Sequence, residues 1–284
     1  MVYIAEARIL NPGTKAGKKT MAEYRMTLVD RQQIASGTMA FWFEPDDGYF
    51  EFRAGQHVDL VFARPQQGCE TDNFRTFSLA SWSQEKKSIM IVTRMRKTVF
   101  KNALKSAALG TKFVVSRARG SFTLHKDVTK PAVFLAGGIG IAPIRSILQH
   151  AAQERLEHKL YLCYSNRATD DAAFLEEFES LGAQNRNFIF VPTVTGQRTL
   201  GWPYEKGHIN HEMLKRYLVG LKGPVYYIAG PSGMVTAMTS LLNSAGISED
   251  DIKTEEFGDY KSYESAEHAA QPTADHHLDF RPQR

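Results

Sequence analysis

Two glycine-rich turns carry the strongest chemical signal in this sequence. The first, Gly137-Gly138-Ile139-Gly140-Ile141-Ala142-Pro143, directly follows the apolar run at 132–136 and opens a helical pattern. Glycines let a backbone turn tightly and approach a ligand where a Cβ would clash. The helix start then offers unpaired N–H groups and a positive dipole end to a pyrophosphate. Pro143 stands where the dinucleotide fingerprint has its third glycine, but proline is comfortable in a first helical turn. Alone, the segment reads equally as a dinucleotide site and as a tight structural turn. The second turn, Gly230-Pro231-Ser232-Gly233-Met234, follows the apolar run at 225–229. Two such turns after two strands can face one ligand from both sides, which favours a nucleotide. The candidate contacts are Gly138, Gly140, Ala142, Pro143, Gly230, Pro231 and Met234.

A third segment, Arg75-Thr76-Phe77-Ser78-Leu79-Ala80-Ser81, lies at the end of a barrel strand and by itself reads as an exposed Arg, a core Phe and a few strand hydroxyls. Other chemistries lack their residues. Cys69 and Cys163 are too few for a four-Cys iron–sulfur cluster, a Cys-based zinc site or a disulfide framework. The nine His, including His57, His208 and the pair His276-His277, read as surface or strand residues, and no metal is assigned. No triad or paired-carboxylate arrangement stands out. The net charge of +4 permits an acidic partner but falls short of a nucleic-acid-binding signature.

The elements that must position these residues fall into two grammars. Before about residue 125, short alternating apolar runs at 26–29, 39–43, 57–62, 89–92 and 112–115 are separated by turn signals such as Asp47-Gly48 and Leu109-Gly110. That pattern predicts an antiparallel β-barrel, with one inserted helix where Phe100, Ala103, Leu104 and Ala107 fall at helical spacing. After Lys130, compact apolar runs at 132–136, 160–164, 188–191 and 225–229 alternate with helical patterns at 141–154, 172–181, 211–218 and 234–245. Strands apolar on both faces, alternating with helices, predict a doubly wound parallel sheet. The expected organisation is β plus α/β: a barrel domain over 1–126, a polar linker ending in Pro131, a nucleotide-binding domain over 131–260, and a mobile tail over 261–284. The early charge at Glu6 argues against a signal peptide, and no run approaches the ~20 apolar residues of a membrane span. The expected location is the cytoplasm.

Together with Phe52-Arg53-Ala54-Gly55-Gln56-His57-Val58 and Arg119-Gly120-Ser121-Phe122, these motifs run in order from about Tyr3 to Tyr260. The set resembles the ferredoxin–NADP reductase-like superfamily, a flavin barrel joined to a nicotinamide-nucleotide domain. The resemblance implies FAD held by Arg75, Thr76, Phe77, Ser78, Thr98, Gly120, Ser121 and Phe257. Arg75 would pair with the flavin pyrophosphate, and Phe77 would flank the flavin in place of the family's Tyr. Ser78 would offer its hydroxyl near the atom that receives hydride. Thr98 would lie against the flavin phosphates. The segment Thr254 to Tyr260 resembles the family's closing Glu-x-Phe, which makes Glu256 the second catalytic candidate, with Glu255 the alternative one residue out of phase. Ala229 replaces the cysteine that usually faces the nicotinamide, and Ala142 stands at a hydroxyl position.

For the coenzyme, Ser165-Asn166-Arg167 meets no acid until Asp170, and Arg198 follows the third strand. An acid there favours a ribose 2′-OH and an arginine a 2′-phosphate, so Ser165, Arg167 and Arg198 lean the reading toward NADPH over NADH. The implied function is hydride transfer from NAD(P)H to FAD and onward electron transfer to a separate acceptor such as a ferredoxin, flavodoxin or cytochrome. The alternatives are a flavin-binding electron-transfer or regulatory subunit, a free-flavin reductase, and a binding module whose glycine turns are structural. Phe257 or Tyr260 would cover the flavin face, and the tail segment Leu278-Asp279-Phe280-Arg281 could fold back over it.

Overall fold

The structure, a computed structural model, describes residues 23–64, 74–82, 87–196 and 201–258. Cys69, Arg198, Tyr260, His276, His277 and the expected tail lie outside the described residues.

The first half forms six antiparallel strands: β1 (Glu23–Ala35), β2 (Thr38–Pro45), β3 (His57–Phe62), β4 (Phe74–Ser78), β5 (Ile89–Arg94) and β6 (Lys112–Ser116). Their order is β4-β3-β6-β1-β2-β5. A bridge between Leu79 and Ile91, with Ala80 N–H donating to the Met90 carbonyl at 2.8 Å, joins the two ends of the sheet into a barrel. Strict alternation sets the inner face of β3, where Val58, Leu60 and Phe62 are buried between less buried neighbours. They meet Met26, Leu28, Phe43 and Phe113 in one apolar core. The helix α1 (Val99–Ser106) buries Phe100 and Leu104 against that core. β5 departs from alternation. Ile89 and Ile91 face the barrel core, while Met90 and Val92 pack outward against Ala142 of the second half.

The second half contains β7 (Ala132–Gly137), α2 (Ile141–Gln153), β8 (Leu160–Asn166), α3 (Leu175–Gln184), β9 (Phe188–Val194), β10 (Glu205–Lys206), α4 (His211–Tyr217), β11 (Val225–Pro231), α5 (Ser232–Ser244) and β12 (Ile252–Phe257). All ladders are parallel, in the order β10-β9-β8-β7-β11-β12. Both faces are covered: α2 and α3 pack on Phe134, Leu162 and Tyr227, and α4 and α5 on Leu135, Cys163 and Tyr226. The doubly wound sheet read from the apolar runs is thus the architecture observed. The helix expected from 172 begins at Leu175, after a single 3-10 turn at Thr169–Asp171.

The two halves share a dense contact. Phe122, ahead of the expected linker, already packs edge-on against Tyr227 at 5.5 Å between ring centres. Ser146 of α2, fully buried, donates to the Ser81 carbonyl at 2.5 Å and accepts from Gly55 N–H at 3.3 Å. Gly55 has φ +91°, and a Cβ there would lie 2.0 Å from the Phe122 carbonyl, so only glycine fits. Ser146→Ala leaves the Ser81 carbonyl and Gly55 N–H without their shared hydroxyl. Urea unfolding should show a loss of about 1–3 kcal/mol, the cost of unsatisfied buried groups.

Candidate nucleotide-binding site

β7 and β11 are adjacent, yet the chain runs outward from β7 through β8 and β9 before returning to β11. The strand order therefore reverses between them, and open parallel sheets bind ligands in the crevice at such a point. Both glycine turns sit there. A Cβ on Gly140 would lie 2.1 Å from the Ala229 carbonyl oxygen, and one on Gly137 would lie 2.3 Å from the Met234 sulfur. The turns therefore pack backbone to backbone. Gly138, at φ +52°, has no described residue within 4 Å of the place a Cβ would take. Pro143 and Ala142 are buried in the first turn of α2, and Ala229 is fully buried in the core. Along the same carboxyl edge, Gly137, Ser165 and Thr193 stand in register on β7, β8 and β9. Arg167 is exposed just beyond β8, and its carbonyl accepts from Gly196 N–H at 2.8 Å.

The barrel contributes a cationic cluster at the start of α1. Thr98 caps the helix, its hydroxyl oxygen accepting from Lys101 N–H at 3.3 Å. Lys101 is buried and donates to the Arg94 carbonyl at 2.9 Å. Burial, reinforced by the nearby Arg96 and Arg75 charges, pulls its ammonium down to about 8. Arg75 donates to the Phe74 carbonyl at 2.7 Å, with its guanidinium 5.8 Å from the centre of the Phe100 ring. Three cations around one helix N-terminus form a surface for a multiply charged anion. Lys101, three residues past the cap, and Arg96 do not stand out in the sequence. Their only signal there is proximity to Thr98.

The two halves meet chemically at Ser78, whose hydroxyl donates to the Glu255 carboxylate. β12 places Glu255 beside Ala229 of β11, at the same edge as the glycine turns. Its Oε2 is buried with no hydrogen-bond partner among the described residues, and desolvation pushes the carboxyl up to about 7 against the opposing pull of Ser78. Glu256, the leading sequence candidate, is exposed. The alternation of β12 turns it away, and Glu255 takes the position beside Ser78. Two more candidates lie on the barrel side. Phe77 is buried in the barrel core, 6.2 Å from the Phe100 ring. Gly120, at φ +111°, is needed for its close approach to His57, and Ser121 is exposed beside it. Thr76 is also exposed, its hydroxyl donating to Asp59 at 2.6 Å. Phe257 is partly buried against the α/β core, opposite Pro231.

A barrel packed on a doubly wound sheet, with glycine turns at the strand-order reversal, is a two-domain architecture suited to binding nucleotides. Residues 134–240 match the oxidoreductase NAD-binding domain family. One component of the Na(+)-translocating NADH-quinone reductase of Methylococcus capsulatus is 28% identical over 200 residues, covering 65% of this chain and 49% of that protein. The toluate 1,2-dioxygenase electron transfer component of Pseudomonas putida is 24% identical over 242 residues, covering 84% and 69%. This chain thus spans about half the length of the quinone reductase components that it matches. Among solved structures, the flavohaem-like FAD/NAD-binding domain of nitric oxide dioxygenase from Vibrio cholerae superposes with a TM-score of 0.73 at 18% identity, covering 83% of this chain and 99% of that one. A ferredoxin NADP+ reductase from Neisseria gonorrhoeae gives a TM-score of 0.69 at 18% identity, covering 82% and 98%. Residues 134–240 thus resemble an oxidoreductase NAD-binding domain, and the fold as a whole is the one these FAD/NAD-binding and ferredoxin NADP+ reductase structures share.

The Glu255 carboxyl gives a signed pH dependence. Its folded value of about 7 lies above the ordinary 4.5, so the folded state binds the extra proton between those values. That contribution to stability is complete below pH ~4.5 and is lost as pH rises through ~7, by on the order of 3 kcal/mol. Unfolding of the flavin-free protein at pH 5 and pH 8 should show this loss, and Glu255→Gln should remove it.

Proposed function

We propose that this protein is an FAD-dependent NAD(P)H oxidoreductase that passes electrons to a separate acceptor protein. One observation carries the reading: an anion-binding cluster on the barrel and a paired-glycine crevice on the parallel sheet lie on two domains joined by Ser78 and Glu255. The residues fit such a cofactor in three respects. Arg75, Arg96 and Lys101 supply charge for a pyrophosphate at the α1 N-terminus, which FMN lacks. Gly138 leaves open space where a side chain would intrude. Glu255 has a buried oxygen at the junction that no described residue pairs with.

Bound flavin would supply hydride acceptance from a nicotinamide and release of electrons singly or in pairs. The protein's own task is orientation and exclusion of water. The glycine crevice positions the nicotinamide nucleotide through backbone N–H groups and the α2 dipole. Ser78 and Glu255 hold one proton between them at the junction, with the carboxyl poised near neutrality to keep or release it. Arg167 at the β8 rim would meet a coenzyme 2′-phosphate. The relatives' printed roles, an electron transfer component and part of a reductase, support a protein acceptor. A ferredoxin, flavodoxin or cytochrome each suits such a reductase. A free-flavin reductase or a poorly reducing electron-transfer subunit is the competing reading.

The purified protein should absorb as a flavoprotein and bleach when NADPH or NADH is added anaerobically. A colourless protein that also fails to take up added FAD would refute the proposal. Chromatography of heat-released cofactor should give FAD and not FMN. Arg75→Ala should weaken flavin retention by about 1.5–3 kcal/mol, the worth of a charged hydrogen bond. Changing Arg167 and Arg198 to Ala should raise the Michaelis constant for NADPH and spare NADH. Equal effects on the two coenzymes would make both arginines ordinary surface charges.

A further inference from the structure

The chain between β8 and α3 does more than connect them. It leaves the carboxyl edge of the sheet at Asn166 and Arg167, whose carbonyls accept from Thr195 and Gly196 at 2.9 and 2.8 Å. It then lies on the barrel. The Asp170 carbonyl accepts from Ser36 N–H at 2.8 Å, and Arg94 at the end of β5 reaches Asp171 Oδ1 at 2.8 Å. The Asp171 side chain is only 12% exposed, while that of Arg94 is 39% exposed, so the carboxylate end of the pair is the shielded one. The segment ends at Phe174, which holds φ +63°. A left-handed backbone is a genuine outlier for a bulky aromatic residue and persists only where its surroundings impose it.

Those surroundings span both halves. The Phe174 ring packs against the α/β core and against the cluster of Ala40, Ala80, Met90, Val92 and Ala142. The Arg145 guanidinium lies 4.7 Å from the centre of that ring. Arg145 also donates to the Ala80 carbonyl at 2.6 Å and pairs with Glu177 at 2.8 Å. A loop that only joined β8 to α3 would need neither the strain nor the anchors on the other domain. A rim ordered only on binding would cost roughly 1–2 kcal/mol per residue fixed, which an anchored rim avoids.

We propose that residues 168–174 are a strap by which the barrel presets the Ser165–Arg167 rim of the nicotinamide-nucleotide site, with Arg94 and Asp171 as its positioning residues. The inference rests on the nucleotide site proposed above. It makes coenzyme affinity a property of the domain contact, because neither positioning residue lies on the glycine turns.

Calorimetric titration of the flavin-loaded, full-length protein with NADP+ and with NAD+ tests it, alongside flavin-to-protein ratio and melting temperature. Asp171→Ala and Arg94→Ala should each weaken the preferred nucleotide by about five- to tenfold while flavin content and melting temperature stay at wild-type values. Arg94→Lys should recover most of the affinity, and the double alanine variant should bind no more weakly than either single one, as coupling within one pair requires. Unchanged affinity in both single variants would overturn the strap. So would losses that track flavin release or melting, which would mark the pair as structural only. A wild-type protein that holds flavin but binds neither nucleotide would overturn the site reading itself and the strap with it.

Discussion

The molecule turns on one close approach of two backbones. Gly140 lies so near the Ala229 carbonyl that no side chain can stand between the β7 turn and the end of β11. On its other side β11 pairs in parallel with β12, which runs to Phe257 opposite Pro231. Glu255 is in register with Ala229, and this brings a carboxylate to the face from which Ser78 donates to it. The register of β12 against β11 thus determines which glutamate meets the barrel.

The barrel's part follows from β5, whose two apolar faces serve two cores. Ile89 and Ile91 close the barrel, while Met90 and Val92 give the sheet domain a surface to sit on. The segment after β4 is held in the same seam. Ala80 offers its carbonyl to Arg145, Ser81 offers its carbonyl to Ser146, and the Ser81 hydroxyl accepts from Met90 N–H. These contacts are hydrogen bonds to main-chain atoms, which are directional. They set the relative orientation of the halves more sharply than apolar burial alone, which has no preferred direction.

The same packing places two ionisable groups in low-dielectric surroundings. Lys101 and Glu255 are both displaced toward neutrality, one by burial among cations and the other by burial beside a hydroxyl. Groups so displaced cluster where proteins handle charged ligands or protons. Cys163 is displaced as well, up to about 12, yet the main cause is desolvation inside an apolar cluster. Geometry separates a poised group from one that is merely buried.

The sequence by itself determined the two architectures, because strand periodicity in one half and doubly apolar runs between helices in the other are local patterns. It also determined both glycine turns, since a residue without a Cβ announces a close approach before the partner is known. What it left open was every choice that depends on the far side of a contact. Glu255 and Glu256 are adjacent and chemically identical, so only the register of β12 against β11 could select between them. Phe77 is a core residue on the inward face of β4, a placement that depends on the strands packed across from it. The close approach of Gly120 to His57, where a Cβ would lie 2.9 Å from the imidazole, is likewise visible only in the folded chain. Asp171 and Arg94 carry no signal at all, because they are 77 residues apart and meet only when the halves pack. Local chemistry writes the elements, and contacts distant in the chain decide which of their side chains do the work.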